Sequence, residues 1–217
     1  MKKSTPSVAP KYTLGEELFN SISHGVGVLL SIAALVLLII FAAIDGSGYK
    51  LASGIVYGIS LILLYSMSMV YHIVQGKKGK AVMRIFDHCS IFILIAGTYT
   101  PYLLTILDKK MGWIMFGIIW GMAIIGIVMN SINLEKFKKI SLICYIIMGW
   151  AIVFTIRPII NGVPFMGVLL LLIGGIVYTA GIIFYVMKKY KYMHSIWHLF
   201  VLGGSVCHYL SIQLFVI

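Results

Sequence analysis

The chain has 217 residues, of which 61% are apolar and only 11% are charged, and its mean hydropathy is +1.04. Soluble domains are about 45–50% apolar and about 25% charged, so this composition excludes an ordinary soluble domain. The formal net charge of +11 would suggest nucleic acid as a partner of a soluble protein, but in a membrane protein basic loops set the orientation instead. We therefore expect membrane lipids, and no nucleic acid, as partners.

Seven stretches of the sequence are long and apolar enough, or nearly so, to cross a bilayer core of about 30 Å. These stretches are 18–43, 51–74, 85–106, 111–132, 140–156, 165–187 and 194–217. The fifth is expected to end at Arg157-Pro158, because proline disfavours a continuing helix. The sequence thus predicts an all-α integral membrane protein with a single domain over 1–217. Residues 1–17 are expected to form a cytoplasmic segment, and 18–217 a seven-helix bundle.

The distribution of basic residues predicts the orientation of this bundle. Thirteen Lys and Arg residues lie in the N-terminal segment and in the second, fourth and sixth loops, whereas four lie in the other loops. Because Lys and Arg remain preferentially on the cytoplasmic side, the N-terminus is predicted to be cytoplasmic and the C-terminus extracellular. The excess of Lys over Arg, 15 against 2, and the abundant Ile fit a bacterial source with an AT-rich genome. We expect a multi-pass protein of the cell membrane.

Several ionisable side chains inside the predicted spans fall at one depth, toward the cytoplasmic ends. They are His24, His72, Asp87, His88, His194 and His198. A carboxylate at mid-membrane costs at least about 2.5 kcal/mol on insertion scales, so such residues are candidates for a functional site. Because helices far apart in sequence carry them to a common layer, we expect one shared site.

The spacing of these residues favours metal binding. His194 and His198 are four residues apart, so on a helix they share a face and can bind one metal ion. Ser68 and His72 repeat that spacing. A polar stripe is also predicted on the first helix, and it consists of Glu17, Asn20 and His24.

Three neutral imidazoles with an open fourth position are the ligand set of a catalytic zinc site. Zinc acidifies water and thereby promotes the attack of water on a carbonyl group. We expect Asp87 to accept a proton from that water, and Ser68 to orient the water or the substrate oxygen. A site near the interface receives water from the cytoplasm and acyl chains from the membrane, which suits a lipid amide or ester as substrate.

Each candidate also has a structural interpretation. His194 and His72 lie at span ends, where interfacial side chains are common. Asp87 can complement the positive end of a helix or pair with Arg84 three residues before it. Unrelated placements of this kind, all at one depth, are a weaker explanation than one shared site.

Three further residues receive structural assignments. We assign His88 to structure. His208 lies deeper in the seventh predicted span, where a hydrogen-bonded core histidine is a better explanation than a metal ligand. Glu17 is expected to orient His24 or to remain among the lipid headgroups.

Several ordered motifs run through the whole chain. They are Glu17-x-x-Asn20-x-x-Ser23-His24, Ser68-x-x-Tyr71-His72, Arg84-x-Phe86-Asp87-His88, Ala96-Gly97-Thr98-Tyr99-Thr100-Pro101, and His194-x-x-x-His198 followed by His208. In this order and combination they closely resemble the haemolysin III family, the bacterial branch of the progestin and adiponectin receptor (PAQR) family.

The resemblance implies a seven-helix fold with a cytoplasmic N-terminus and a zinc ion held by His72, His194 and His198. It also implies that Asp87 contacts the metal-bound water and that Ser68 lies nearby. Around these residues we expect a supporting set, namely Glu17, Asn20, His24 and His208. The wider superfamily includes alkaline ceramidases, so the resemblance implies hydrolysis of a ceramide-like lipid amide or a role in membrane-lipid homeostasis.

Two other functions are compatible with the sequence. The family name suggests a pore-forming cytolysin, but a channel requires a polar lining through the membrane, whereas the ionisable residues cluster at one depth. Polar residues that extend outward along two spans leave a tunnel or channel possible: Thr98, Thr100, Ser205, His208, Ser211 and Gln213. The third function is a membrane sensor in which zinc only stabilises the fold.

Overall fold

The computed structural model describes residues 12–187 and 189–217, and the regular structure of these residues is entirely helical. Six helical segments among them are long and apolar enough to cross a membrane, with the region 109–162 taken as one segment. This confirms the predicted all-α membrane protein. The elements are α1 (Leu14–Asp45), α2 (Gly48–Ile73), α3 (Lys77–Thr105), α4 (Lys109–Gly149), a 3₁₀ turn (Ala151–Thr155), α5 (Ile156–Gly162), α6 (Phe165–Val186) and α7 (Met193–Phe215).

Several helices begin at side chains that cap their first turn. The Thr13 hydroxyl accepts a hydrogen bond from the Glu16 backbone N–H, and the Glu16 carboxylate accepts one from the Thr13 backbone N–H. Ser47 and Asp108 cap α2 and α4 in a similar way. These bonds satisfy amide groups that have no partner within the helix itself, so the short local sequence fixes where each helix starts.

The long helix α4 is broken at Asn133, whose backbone is extended, with φ −161° and ψ 91°. Ser141 Oγ donates a hydrogen bond to Asn130 Oδ1 at 2.6 Å, although the two residues are 11 apart in sequence. In a continuous helix that separation would place them about 16 Å apart. The first arm of α4 (109–132) and the second arm (134–149) therefore fold back on each other.

The region after Asn133 differs from the prediction in two respects. We expected a loop over 133–139, but residues on both sides of Asn133 are helical. We also expected a fifth span over 140–156, whereas the α-helix ends at Gly149 and continues as the 3₁₀ turn. Pro158 does not end a helix. It lies in the first turn of α5, where its missing N–H removes no hydrogen bond.

Helix packing brings the ends of α1, α2, α3 and α7 together. The helices α1, α2 and α3 pack in sequence, and α1 and α6 both pack against α7. Gly27 permits the close approach of α1 to α2, because a Cβ there would lie 2.4 Å from the Tyr65 ring. Many large apolar side chains are exposed on the outside of the bundle, as expected for a surface in contact with lipid. Polar residues of α1, α2, α3 and α7 are consequently placed inside.

Ser141→Ala tests the hydrogen bond that joins the two arms of α4. The variant leaves the side-chain oxygen Oδ1 of the fully buried Asn130 without this partner. Such a loss costs about 1–3 kcal/mol of stability. We expect a clearly lower unfolding temperature in detergent. The control is Ser131→Ala, at an exposed serine close to the break, which is expected to change stability by less than about 0.5 kcal/mol. Equal unfolding temperatures would contradict the proposed role of Ser141.

Candidate metal centre

The helices α2 and α7 bring three histidines together at one end of the bundle. His72, His194 and His198 each offer one ring nitrogen, and these nitrogens lie within 4.8 Å of one another. The Nε2 atoms of His194 and His198 are 3.2 Å apart. His72 and His198 are buried, whereas His194 is half-buried. We call these three residues the histidine triad.

The donor set of the histidine triad fits a metal ion. Two nitrogens bound tetrahedrally to one Zn²⁺ at about 2.0–2.1 Å lie about 3.3 Å apart, close to the observed separation of His194 and His198. His72 Nε2 is buried and has no hydrogen-bond partner among the described residues, although buried polar atoms nearly always have one. Imidazole ligands suit zinc and other transition metals better than calcium or magnesium, so a transition metal could be held here.

Glu17 supports the triad from α1. Its Oε2 lies 2.6 Å from His72 Nδ1, and its Oε1 lies 2.6 Å from Lys80 Nζ. Because Nδ1 is engaged by the carboxylate, Nε2 is the nitrogen of His72 available to a metal, and such a carboxylate fixes the ring orientation of a ligand histidine. The prediction that Glu17 orients His24 or remains among headgroups is wrong, since the carboxylate reaches across to α2.

The rest of the polar stripe on α1 lies against His198. The His24 ring stacks on the His198 ring with a centroid distance of 3.6 Å and an interplanar angle of 14°. Ser23 Oγ lies 3.5 Å from His198 Nδ1 and donates a hydrogen bond to the Asn20 carbonyl. The side chains of Asn20 and His24 are buried. The helix α1 thus packs polar groups against both α2 and α7.

Asp87 is buried near the start of α3, between polar neighbours. Its Oδ2 lies 3.4 Å from His88 Nδ1, and the Ser68 hydroxyl lies beside the same carboxylate. The sequence also suggested an ion pair between Asp87 and Arg84. In the structure Arg84 forms an ion pair with Glu135 instead. His88 Nδ1 also lies 2.9 Å from the Arg84 carbonyl, as suits its structural assignment.

Asp87 also lies where two cavities adjoin. A polar cavity of about 420 Å³ has His194 in its lining, and an apolar cavity of about 160 Å³ has Ser68 and His24 in its lining. Asp87 contributes to both. One face of α3 lines the apolar cavity as far as Tyr102, which is about 22 Å along the helix. The other α3 residues of that face are Ile91, Leu94, Ile95, Thr98 and Tyr99.

Two residues near the triad were missed by sequence reasoning. The Tyr12 ring stacks on the His194 ring, with centroids 5.0 Å apart, and burial raises the pKa of the Tyr12 hydroxyl above its ordinary value, so the hydroxyl stays protonated. Glu16 accepts a hydrogen bond from the backbone N–H of Tyr192 at 2.8 Å, which joins the start of α1 to the start of α7. The spacing Thr13-x-x-Glu16 signals a capping box, but nothing in it indicates this second partner.

His208 lies apart from the histidine triad. It follows His198 by ten residues, which corresponds to about 15 Å along α7, and it lines the apolar cavity. The prediction of a hydrogen-bonded core histidine is wrong for one atom, because Nδ1 is buried and has no hydrogen-bond partner within the described part of the chain. His208 is therefore too far along α7 to contact the triad, and the prediction that it supports the triad is wrong.

Comparison with known proteins identifies relatives of this chain. A family described as Haemolysin-III related matches residues 12–209. The chain is 43% identical over 201 residues to the Hemolysin-3 homolog of Bacillus subtilis (strain 168), covering 93% of this chain and 94% of that protein. It is 44% identical over 202 residues to Hemolysin-3 of Bacillus cereus, covering 93% of this chain and 92% of that protein.

A human protein is also similar. The chain is 32% identical over 169 residues to the Monocyte to macrophage differentiation factor of Homo sapiens, covering 72% of this chain and 67% of that protein. This similarity supports the predicted relationship to the PAQR family. The apolar helices and the Bacillus relatives together indicate a multi-pass bacterial membrane protein. This chain belongs to the Haemolysin-III related family.

Proposed function

We propose that this chain is a zinc-dependent hydrolase that cleaves an amide or ester bond of a membrane lipid. The observation that carries the proposal is the position of Asp87, which borders a polar cavity on one side and an apolar cavity on the other. A lipid whose carbonyl group lies at this junction would extend its acyl chain into the apolar cavity. Its polar part, and the water needed for hydrolysis, would occupy the polar cavity beside His194.

The residues around the junction supply the groups that hydrolysis requires. His72, His194 and His198 would hold a zinc ion, which would supply the Lewis acidity that this hydrolysis needs. The Asp87 carboxylate accepts the proton lost by the attacking water and then transfers it to the leaving group. The Ser68 hydroxyl donates a hydrogen bond to the substrate oxygen. The apolar lining keeps water away from the acyl chain.

The apolar cavity also adjoins the lipid-facing surface of the bundle. Trp150 and Thr179 both line it, and the Trp150 Nε1–H donates a hydrogen bond to Thr179 Oγ1 at an exposed position. The helices α4 and α6, which carry the flanking residues, have little direct contact with each other. A lipid chain can therefore enter from the bilayer at this position without passing through water.

The name Hemolysin-3, carried by the Bacillus cereus relative, suggests pore formation as another function. A pore needs a polar lining across the whole membrane, whereas the cavity beyond Asp87 is lined mainly by Leu, Ile, Val and aromatic side chains. A sensor with a structural metal needs the same ligands as a hydrolase. It does not need an acyl-chain cavity that meets a buried carboxylate, and we therefore favour the hydrolase.

We further propose that the two arms of α4 cross the membrane separately, which gives seven spans. The first arm has 24 residues, or about 36 Å, and the second has 16 residues, or about 24 Å, before the 3₁₀ turn extends it. Antiparallel arms place the lysines near the Asn133 break at the same end of the bundle as Lys77, Lys78 and Lys80. By the positive-inside rule that end is cytoplasmic, and the C-terminus is extracellular.

Reporter fusions at the C-terminus test this topology. In bacterial cells, alkaline phosphatase fused after Ile217 is expected to be active, because that enzyme folds only outside the cytoplasm. Green fluorescent protein fused at the same residue is expected to be dark after export. The reverse pair of results would place the C-terminus inside and contradict seven spans with a cytoplasmic N-terminus.

Substitution of the triad and of its support tests zinc binding. We expect the purified protein to contain stoichiometric zinc and His198→Ala to contain none, as measured by elemental analysis.

Glu17→Gln removes the carboxylate behind His72 and should weaken zinc affinity by on the order of 10–100-fold, as measured by competition with a chelator. The control is Asp45→Asn, at the opposite end of α1, which should leave the affinity unchanged. An equal loss in both variants would contradict the role of Glu17.

Asp87→Asn separates catalysis from structural metal binding. The variant cannot accept a proton, so we expect it to retain zinc and to release fatty acid from a fluorescent ceramide in nanodiscs on the order of 10²–10⁴-fold more slowly. Asp108→Asn, at the start of α4, is the control and should keep full activity. Unchanged turnover in Asp87→Asn would remove this residue from the mechanism. If the wild type has no turnover and His198→Ala only lowers the unfolding temperature, the metal is structural.

A further inference from the structure

We propose that His208 forms a second polar site within the apolar cavity, and that it binds a hydroxyl group carried part-way along a lipid chain. The proposal rests on the proposed function only in requiring that the apolar cavity accept such a chain. Asp87 and the triad lie at one end of the bundle, whereas His208 lies about 15 Å from His198 along α7. The two sites therefore contact different parts of one elongated ligand.

The burial of His208 is the first observation. The residue is only 7% exposed, and its Nδ1 has no hydrogen-bond partner among the described residues. Leaving a buried nitrogen without a partner costs free energy, so most such atoms in folded proteins bind another group or a ligand. Since His208 also lines the apolar cavity, a molecule that occupies the cavity can provide that partner.

The polar groups next to His208 are engaged with one another. The Tyr178 ring stacks on the imidazole, with centroids 5.2 Å apart and an interplanar angle of 20°. The Tyr178 hydroxyl lies 2.7 Å from Ser205 Oγ, which also receives a hydrogen bond from the Tyr65 hydroxyl at 2.7 Å. This network positions the imidazole by stacking and leaves Nδ1 without a partner among the described residues.

The backbone of α6 makes room for the imidazole. Gly174 faces it, and a Cβ at that position would lie 2.8 Å from His208 Nε2. Any side chain on this residue would displace the ring or force α6 away from α7. The packing of α6 against α7 at Gly174 thus leaves space for a histidine ring in this part of the cavity.

The chemistry of the site indicates a neutral hydroxyl rather than an ion. Among the described residues that line the apolar cavity, Asp87 is the one acidic residue, and it lies at the opposite end. An imidazole without a charged partner offers one donor and one acceptor, and a hydroxyl group offers the same pair. The surrounding lining includes Leu171 and Val201, which suits the hydrocarbon on either side of that hydroxyl.

A binding experiment with fatty acids tests this site without requiring turnover. Protein in nanodiscs is loaded with a fluorescent fatty acid, which is displaced by stearic acid or by monohydroxystearic acids that differ in hydroxyl position. We expect one mid-chain position to bind about 3- to 10-fold more tightly than stearic acid, which corresponds to one net hydrogen bond. Equal affinities for every hydroxyl position and for stearic acid would overturn the proposal.

Variants of His208 assign the preference to the imidazole. His208→Phe keeps a ring that stacks on Tyr178 but has no nitrogen, so it should lose the preference while binding stearic acid as the wild type does. His208→Asn restores a donor and an acceptor near the position of Nδ1 and should recover part of the preference. A preference that persists in His208→Phe would overturn the proposal. The wild-type series decides the matter even if this variant does not fold.

The same measurements separate this site from the proposed function. Failure of stearic acid to displace the probe would contradict an acyl-chain cavity and overturn both. Normal binding of hydroxystearic acid by a protein that hydrolyses no lipid would overturn the hydrolase and leave the His208 site intact.

Discussion

The hydrogen bond between Glu17 and His72 is the interaction on which the polar end of the bundle depends. It joins α1 to α2, determines which nitrogen of His72 faces the other two histidines, and buries a carboxylate whose charge is balanced by Lys80. A carboxylate in this environment would be costly without such partners. Glu17, His72 and Lys80 therefore constrain both the packing of α1, α2 and α3 and the geometry of the candidate metal centre.

Beyond this polar end, the interior changes character along the bundle axis. Apolar side chains of α3, α4 and α6 line the cavity next to Asp87, whereas tyrosine and serine hydroxyls hydrogen-bond to one another on α2, α6 and α7. A bilayer supplies no water to satisfy buried polar groups, so these hydroxyls must find partners within the protein. Several buried polar atoms have no partner among the described residues, His208 Nδ1 among them, and for His208 a bound molecule offers an explanation.

The depth of most site residues in the membrane could be predicted from sequence, because helical spacing and span orientation fix the depth of a residue. His72, His194 and His198 were placed together on that basis and on a family resemblance. Depth alone does not fix how a helix is rotated, so Glu17 was paired with the wrong histidine. A reversal was predicted in this region, as a loop over 133–139, but the sequence did not show how tight the reversal at Asn133 is. It occurs at a single residue with helix-forming neighbours and without the glycine or proline that usually marks a turn.

The division of the histidine triad between α2 and α7 has a consequence for biogenesis. Two of the three ligands are carried by α7, which leaves the ribosome after α1 to α6. A nascent chain arrested before residue 194 presents one imidazole and cannot form the centre. An ion held by all three histidines must therefore be acquired after α7 has been synthesised, and its presence marks a bundle in which α2 and α7 have already come together.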